Sequence, residues 1–141
     1  ELSSLEKNNN QLTNFCQRIL NKRGNPDPTK TTFLYVITWN LEKIADEYKY
    51  LGRCIAAHKN IGKQTLALLS QTNKLLREYY ELFYSFDLER LTRLAMNYKQ
   101  LHQEIESLMT KEDPLPLSYL SHIVLKIADF SPSTVAIQEH K

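Results

Sequence analysis

The sequence predicts an all-α protein, an antiparallel helical bundle of five long helices. Only three of its 141 residues are glycine, whereas leucine, lysine, glutamate and glutamine are frequent, a composition typical of helices. Apolar residues recur at alternating intervals of three and four along most of the chain, the spacing of helices that pack along their length. A chain of this length suits one domain, residues 1–141, that buries roughly two-thirds of its unfolded surface.

The first helix has recognisable start and stop signals. Ser3-Ser4-Leu5-Glu6 has the capping-box pattern that opens a helix, and Lys22-Arg23 before Gly24 indicates its end. Cys16 and Cys54, on different helices, are expected to be reduced core residues, because free cysteine is among the most buried residue types. The apolar stripe of this helix consists of Leu5, Leu12, Phe15, Cys16, Ile19 and Leu20.

The second helix is predicted over residues 28–59. Asp27 is a suitable N-cap, and Pro28 suits the first helical position because its missing amide proton has no partner there. The pattern breaks at Asn60-Ile61-Gly62. The apolar seam of this helix is formed by Ile37, Leu41, Ile44, Tyr48, Leu51 and Ile55.

Three further helices are predicted after this break. A third helix covers 61–85 and ends in a cluster of aromatic residues, expected to fill the core unless an exposed subset forms a docking patch. The chain turns at 85–87, a fourth helix carries Leu91 to Leu108, and residues 111–116 form a loop. Pro132 should interrupt the fifth helix near residues 130–131, because proline removes a helical hydrogen bond.

The most informative motif is Leu41-Glu42-Lys43-Ile44-Ala45-Asp46, partly repeated as Val124-Leu125-Lys126-Ile127-Ala128-Asp129. Glu42 and Asp46 are four residues apart and share one helical face, where they could hold a cation or dock a basic partner. The repetition suggests two related units, about 1–59 and 61–138. In that case the first unit lacks its leading helix, and we expect the chain to be excised from a longer protein.

The motif, on the last helix of a three-helix unit that repeats, resembles the PhoU-like phosphate-uptake regulators, and the stretch from Phe15 to Lys49 resembles archaeal members. The resemblance implies two three-helix units and negative control of phosphate uptake through contacts with a phosphate transporter or its sensor kinase. It also implies metal bound by the acidic motifs, although Leu125 replaces the second glutamate. Some archaeal relatives carry an N-terminal AbrB-like DNA-binding domain, which would make the longer protein a transcription regulator.

Candidate metal ligands are Glu42, Asp46 and Asp129. Iron, manganese or magnesium binds several oxygen ligands, so two carboxylates on one helix are insufficient and acids from neighbouring helices must converge on them. The alternative is a solvated acidic face neutralised by Lys43, Lys49 and Arg53.

The sequence points away from several other functions. It contains no nucleophile elbow, P-loop or His-Glu-x-x-His motif, so we expect no enzyme. Basic residues are spread along a chain of net charge +2, which argues against nucleic-acid contact by this domain. No apolar run reaches membrane-spanning length, and a cytoplasmic location is expected.

The expected function is therefore non-enzymatic regulation of phosphate signalling through protein–protein contacts. The alternative is a plain helical scaffold or dimerisation domain without metal. A first unit with only two helices leaves an apolar face uncovered, so we also expect a homo-oligomer or a further segment that covers this face.

Overall fold

The computed structural model describes residues 1–58 and 60–138, which contain helices and no strand. The prediction of an all-α helical bundle is therefore confirmed for this part of the chain. The helices are α1 (Leu2–Arg23), α2 (Thr31–Ala57), α3 (Lys63–Tyr84), α4 (Leu88–Leu108), α5 (Pro114–Ala128) and α6 (Phe130–Gln138), with a 3₁₀ turn at Pro28–Lys30 before α2.

Helix α5 is the centre of the bundle and packs against α2, α3 and α4. Apolar side chains surround much of its circumference, which is the pattern of a helix buried on several sides. Helix α2 runs antiparallel to it, because Glu47 pairs with Lys126, whereas Tyr50, later on α2, lies beside Tyr119, earlier on α5. The α5 side chains without exposed surface are Leu117, Leu120, Ile123, Val124 and Ile127.

Helix α1 lies outside this core and packs extensively only against α2. The two helices are antiparallel: Glu6 binds Lys49 near one end, and the Asn25 amide donates to Thr31 Oγ1 at the other. Gly24 ends α1 with φ +69°, a left-handed conformation that glycine adopts without a steric penalty.

Two predicted helix starts are wrong. Helix α1 begins at Leu2, before the predicted capping box, since the amides of Ser4 and Leu5 already donate to the Glu1 carbonyl. Helix α5 begins at Pro114, inside the predicted 111–116 loop. There the Asp113 carboxylate accepts a hydrogen bond from the Leu115 amide and caps the helix. Prolines are tolerated in this first turn because amides there have no hydrogen-bond partner within the helix.

The second helix and the interruption of the fifth are largely as predicted. Asp27 does act as a cap, but it caps a 3₁₀ turn, and regular α-helix begins only at Thr31. Helix α2 ends at Ala57, and Lys59, where the predicted helix ended, lies outside the described residues. The interruption expected near Pro132 is confirmed, because α5 stops at Ala128 and α6 restarts at Phe130.

The two cysteines differ in burial. Cys54 is buried on α2, as predicted, but Cys16 is exposed, so its assignment to the core is wrong. The reason is the orientation of α1, which turns its apolar stripe away from α2. The α1 residues that are buried or half-buried are mostly polar: Glu6, Asn9, Asn10, Thr13, Gln17 and Leu20.

Candidate functional site

Both copies of the repeated motif lie on the two helices that pack along each other at the centre of the molecule. Ile44 of α2 and the corresponding Ile127 of α5 are both buried, so each copy of the motif places its isoleucine in the core. Leu125, which replaces the acidic Glu42, is 44% exposed. The second copy therefore has an apolar side chain on the surface where the first has a carboxylate.

The Glu42–Asp46 pair is surrounded by lysines. Lys43 Nζ lies 3.6 Å from Glu42 Oε1 and 4.0 Å from Asp46 Oδ2. Lys49 Nζ lies 2.9 Å from Asp46 Oδ1 and 3.0 Å from Glu6 Oε1 of α1. The Asp46 carboxylate, followed by that of Glu6, holds the pKa of the Lys49 ammonium above its usual value. In this geometry Asp46 binds the same ammonium group that pairs with Glu6, and the Lys49–Glu6 pair fastens α1 to α2.

The other acids near the motif have different contacts. Glu47 pairs with Lys126 at 3.3 Å and lies 3.4 Å from His122 Nδ1. Asp129 caps the end of α5, and its amide donates to the Leu125 carbonyl. Within residues 1–58 and 60–138, no three acidic, histidine or cysteine side chains form a group suited to a metal ion. The two α2 carboxylates alone supply too few oxygen ligands for a metal ion. A metal site at Glu42, Asp46 and Asp129 therefore stays a prediction.

A second polar cluster joins the end of α2 to the start of α5. His58 Nε2 lies 2.9 Å from Asp113 Oδ2, and His58 Nδ1 lies 2.8 Å from the Cys54 carbonyl oxygen. This cluster was not predicted from the sequence. Cys54 of α2 and His58, which follows the end of α2, are four residues apart, which was a usable signal, but Asp113 is distant in sequence.

This cluster does not have the arrangement of an activated nucleophile. Both ring nitrogens of His58 face acceptors, so neither is placed to take a proton from Cys54 Sγ, which lies 3.7 Å from Nδ1. Burial, and secondarily the charge of Asp113, raises the pKa of the Cys54 thiol. The contacts of Asp113 therefore fit a structural role, in which it caps α5 and binds the end of α2.

Helices α1 and α3 lie on adjacent sides of α2. The Tyr48 hydroxyl donates to Asn73 Oδ1 of α3 at 2.7 Å, whereas the next residue, Lys49, binds Glu6 of α1. Successive residues of a helix point about 100° apart, so Tyr48 and Lys49 point to two different sides of α2. Helices α3 and α1 therefore flank the strip of α2 surface between these two directions. Leu41, two turns before Tyr48, lies on this strip and is 38% exposed.

The facing sides of α1 and α3 are apolar. On each helix of an antiparallel pair, consider the residue that comes one position before a residue in the contact. These preceding residues lie on the same side of the helix pair, whichever of the two helices they belong to. Leu5 and Leu12 precede the contact residues Glu6 and Thr13, so they lie on the same side of α2 as Tyr48. We call this region the α1–α3 groove; its residues are Leu5, Leu12, Phe15 and Ile19 of α1, Leu41 and Tyr48 of α2, and Leu66, Leu69, Leu76 and Tyr80 of α3.

The α1 side of this groove is uncovered. Leu5, Leu12 and Phe15 are 60–65% exposed. Of the aromatic cluster at the end of α3, Tyr79 is buried in the core, whereas Tyr80 and Tyr84 are more than half exposed. The predicted uncovered apolar face is therefore present along the first two helices, and it continues onto α3.

No helix among residues 1–58 and 60–138 has both the length and the apolar character needed to cross a membrane. Comparisons of the chain with protein-family models, with curated proteins and with solved structures found no match.

Proposed function

We propose that this chain is a non-enzymatic regulatory module of phosphate signalling that acts through protein–protein contacts on the cytoplasmic side of the membrane. The proposal of protein–protein contacts rests on the α1–α3 groove. Its apolar side chains come from three helices and are largely exposed, and large exposed apolar patches mark protein–protein interaction sites.

The groove has the features of a helix-binding surface. Exposed Leu66 and Tyr80 are fourteen residues apart on α3, with the half-buried Leu69 and Leu76 and the exposed Asn73 between them at three- and four-residue steps. Side chains at these intervals form a straight row, and an amphipathic helix binds such a row with its own apolar stripe. The groove therefore suits a helix better than a small molecule.

The phosphate-signalling part of the proposal comes from the sequence motif. Leu41-Glu42-Lys43-Ile44-Ala45-Asp46 resembles the acidic motif of PhoU-like regulators, and its acidic side chains lie on the surface of α2 beside α1. A regulator of this kind would bind a phosphate transporter or its sensor kinase. A cation at Glu42 and Asp46 is a further part of the proposal.

The test is phosphate uptake by cells from which the gene has been deleted. We expect uptake in phosphate-rich medium to rise after deletion and to return to normal when the wild-type gene is restored. A Tyr80→Glu gene should fail to restore control, because the new charge lies in the groove. Leu88→Glu is the matched control, since Leu88 is a 70% exposed residue of α4, outside the groove. Unchanged uptake in the deletion strain would contradict the phosphate role.

A further inference from the structure

We infer that the occupant of the α1–α3 groove is helix α1 of a second copy of this chain, bound antiparallel so that the protein forms a two-fold symmetric dimer. The inference rests on the proposed function only in taking the groove as a protein-binding surface. It does not depend on the role in phosphate signalling.

Helix α1 is attached to α2 by its polar side. Its residues buried against α2 are mostly polar, and the side-chain nitrogen of Asn9 and the side-chain oxygen of Asn10 are buried there without hydrogen-bond partners. Its large apolar side chains instead face outwards. A helix in this orientation has its main apolar stripe free for another chain.

The outward face of α1 is symmetric in its residue spacing. Its positions are Glu1, Leu5, Asn8, Leu12, Cys16, Ile19 and Arg23. Counted from Leu12, they lie at the same distances in both directions along the helix. A two-fold axis at Leu12 therefore brings Leu12 onto Leu12 of the second copy and Leu5 opposite Ile19, the reciprocal pairing that a two-fold interface requires.

The two ends of this face carry complementary charges. Glu1 lies at one end of this face, whereas Lys22 and Arg23 lie at the other. Antiparallel pairing about Leu12 brings Glu1 of each copy opposite Arg23 of the other, giving two ion pairs. Parallel pairing would place like charges together at both ends, so the charges favour the antiparallel arrangement.

The first experiment measures the dissociation constant of the dimer by sedimentation of the purified protein over a range of concentrations. We expect Leu12→Glu to weaken dimerisation by about 30-fold or more, because it places two carboxylates together on the two-fold axis. Leu88→Glu, on α4, is the matched control and should dimerise like the wild type. Circular dichroism verifies that both variants remain folded. A wild-type protein that is monomeric throughout, or a fully dimeric Leu12→Glu variant, would overturn the inference.

The second experiment exchanges the terminal charges of the face. Glu1→Lys and Arg23→Glu should each weaken the dimer, and the double variant should recover the wild-type dissociation constant because the pairs are restored with reversed polarity. Failure of the double variant to recover overturns the antiparallel pairing. The two proposals remain distinguishable, since a monomeric protein with normal phosphate control refutes only the dimer, and a dimer without effect on uptake refutes only the phosphate role.

Discussion

The ring of Tyr79 stacks on that of Phe130, with centroids 4.3 Å apart and an interplanar angle of 13°, and this contact joins α3 to α6. The Tyr79 hydroxyl lies 3.0 Å from Thr134 Oγ1, whose own proton is donated to the Phe130 carbonyl. Tyr79 therefore donates to Thr134. Through this buried pair, the helix that restarts after Asp129 is held against the core.

Replacing Phe130 with alanine should destabilise the protein strongly. Phe130 has no exposed surface, and removing a fully buried phenylalanine costs about 3–5 kcal/mol in the free energy of unfolding. Urea unfolding followed by circular dichroism measures this change. The control is Tyr84→Ala, at a 73% exposed position, which should cost under about 0.5 kcal/mol. A small effect at Phe130 would mean that α6 is not docked as described.

Stability should fall in alkaline solution. Burial raises the pKa of Tyr48 and of Tyr79 to about 12, above the ordinary value of 10.0. The folded state therefore favours the protonated phenols, and their contribution is complete below pH 10 and is lost as the pH rises towards 12. Denaturant unfolding across this range should show the decline, and Tyr79→Phe should make it shallower. Equal declines in both proteins would contradict the assignment.

The two cysteines should react at very different rates with a thiol reagent. Cys16 is exposed on α1, whereas Cys54 is only 7% exposed and burial raises its thiol pKa, which lowers the thiolate fraction at neutral pH. We expect one fast and one slow thiol in the native protein and two fast thiols after unfolding. A Cys16→Ser variant should lose the fast phase; if that phase persists, Cys54 is more accessible than the structure indicates.

A divalent cation should bind at Glu42 and Asp46 only weakly, because it must displace the ammonium groups of Lys43 and Lys49. We expect manganese to raise the melting temperature of the wild type slightly and that of Asp46→Ala not at all, since a ligand stabilises only the state that binds it. Lys49→Met should enlarge the response by removing the competing charge. An Asp46→Ala protein with the wild-type response would contradict cation binding at this pair.

The local sequence determined most of the secondary structure. Glycine at position 24, the Asp27 cap and the break near Pro132 act through the backbone within a few residues, so their effects were predictable. The errors at helix starts arose where a different residue began the helix. Asp113 is an example, since its cap allowed α5 to begin inside a stretch that its prolines marked as loop.

Tertiary structure decided which faces of the helices are buried and which side chains meet. The apolar stripe of α1 was evident from its spacing, but periodicity cannot say against which surface a helix packs. Lys49 binds Glu6, and this contact between distant segments seats α1 by its polar side. The packing thus exposed the α1 stripe and brought Glu6 to Lys49, because these outcomes depend on contacts between residues far apart in the chain. The pairs of the acidic motif with Lys43 and Lys49 are local, so the sequence could predict them.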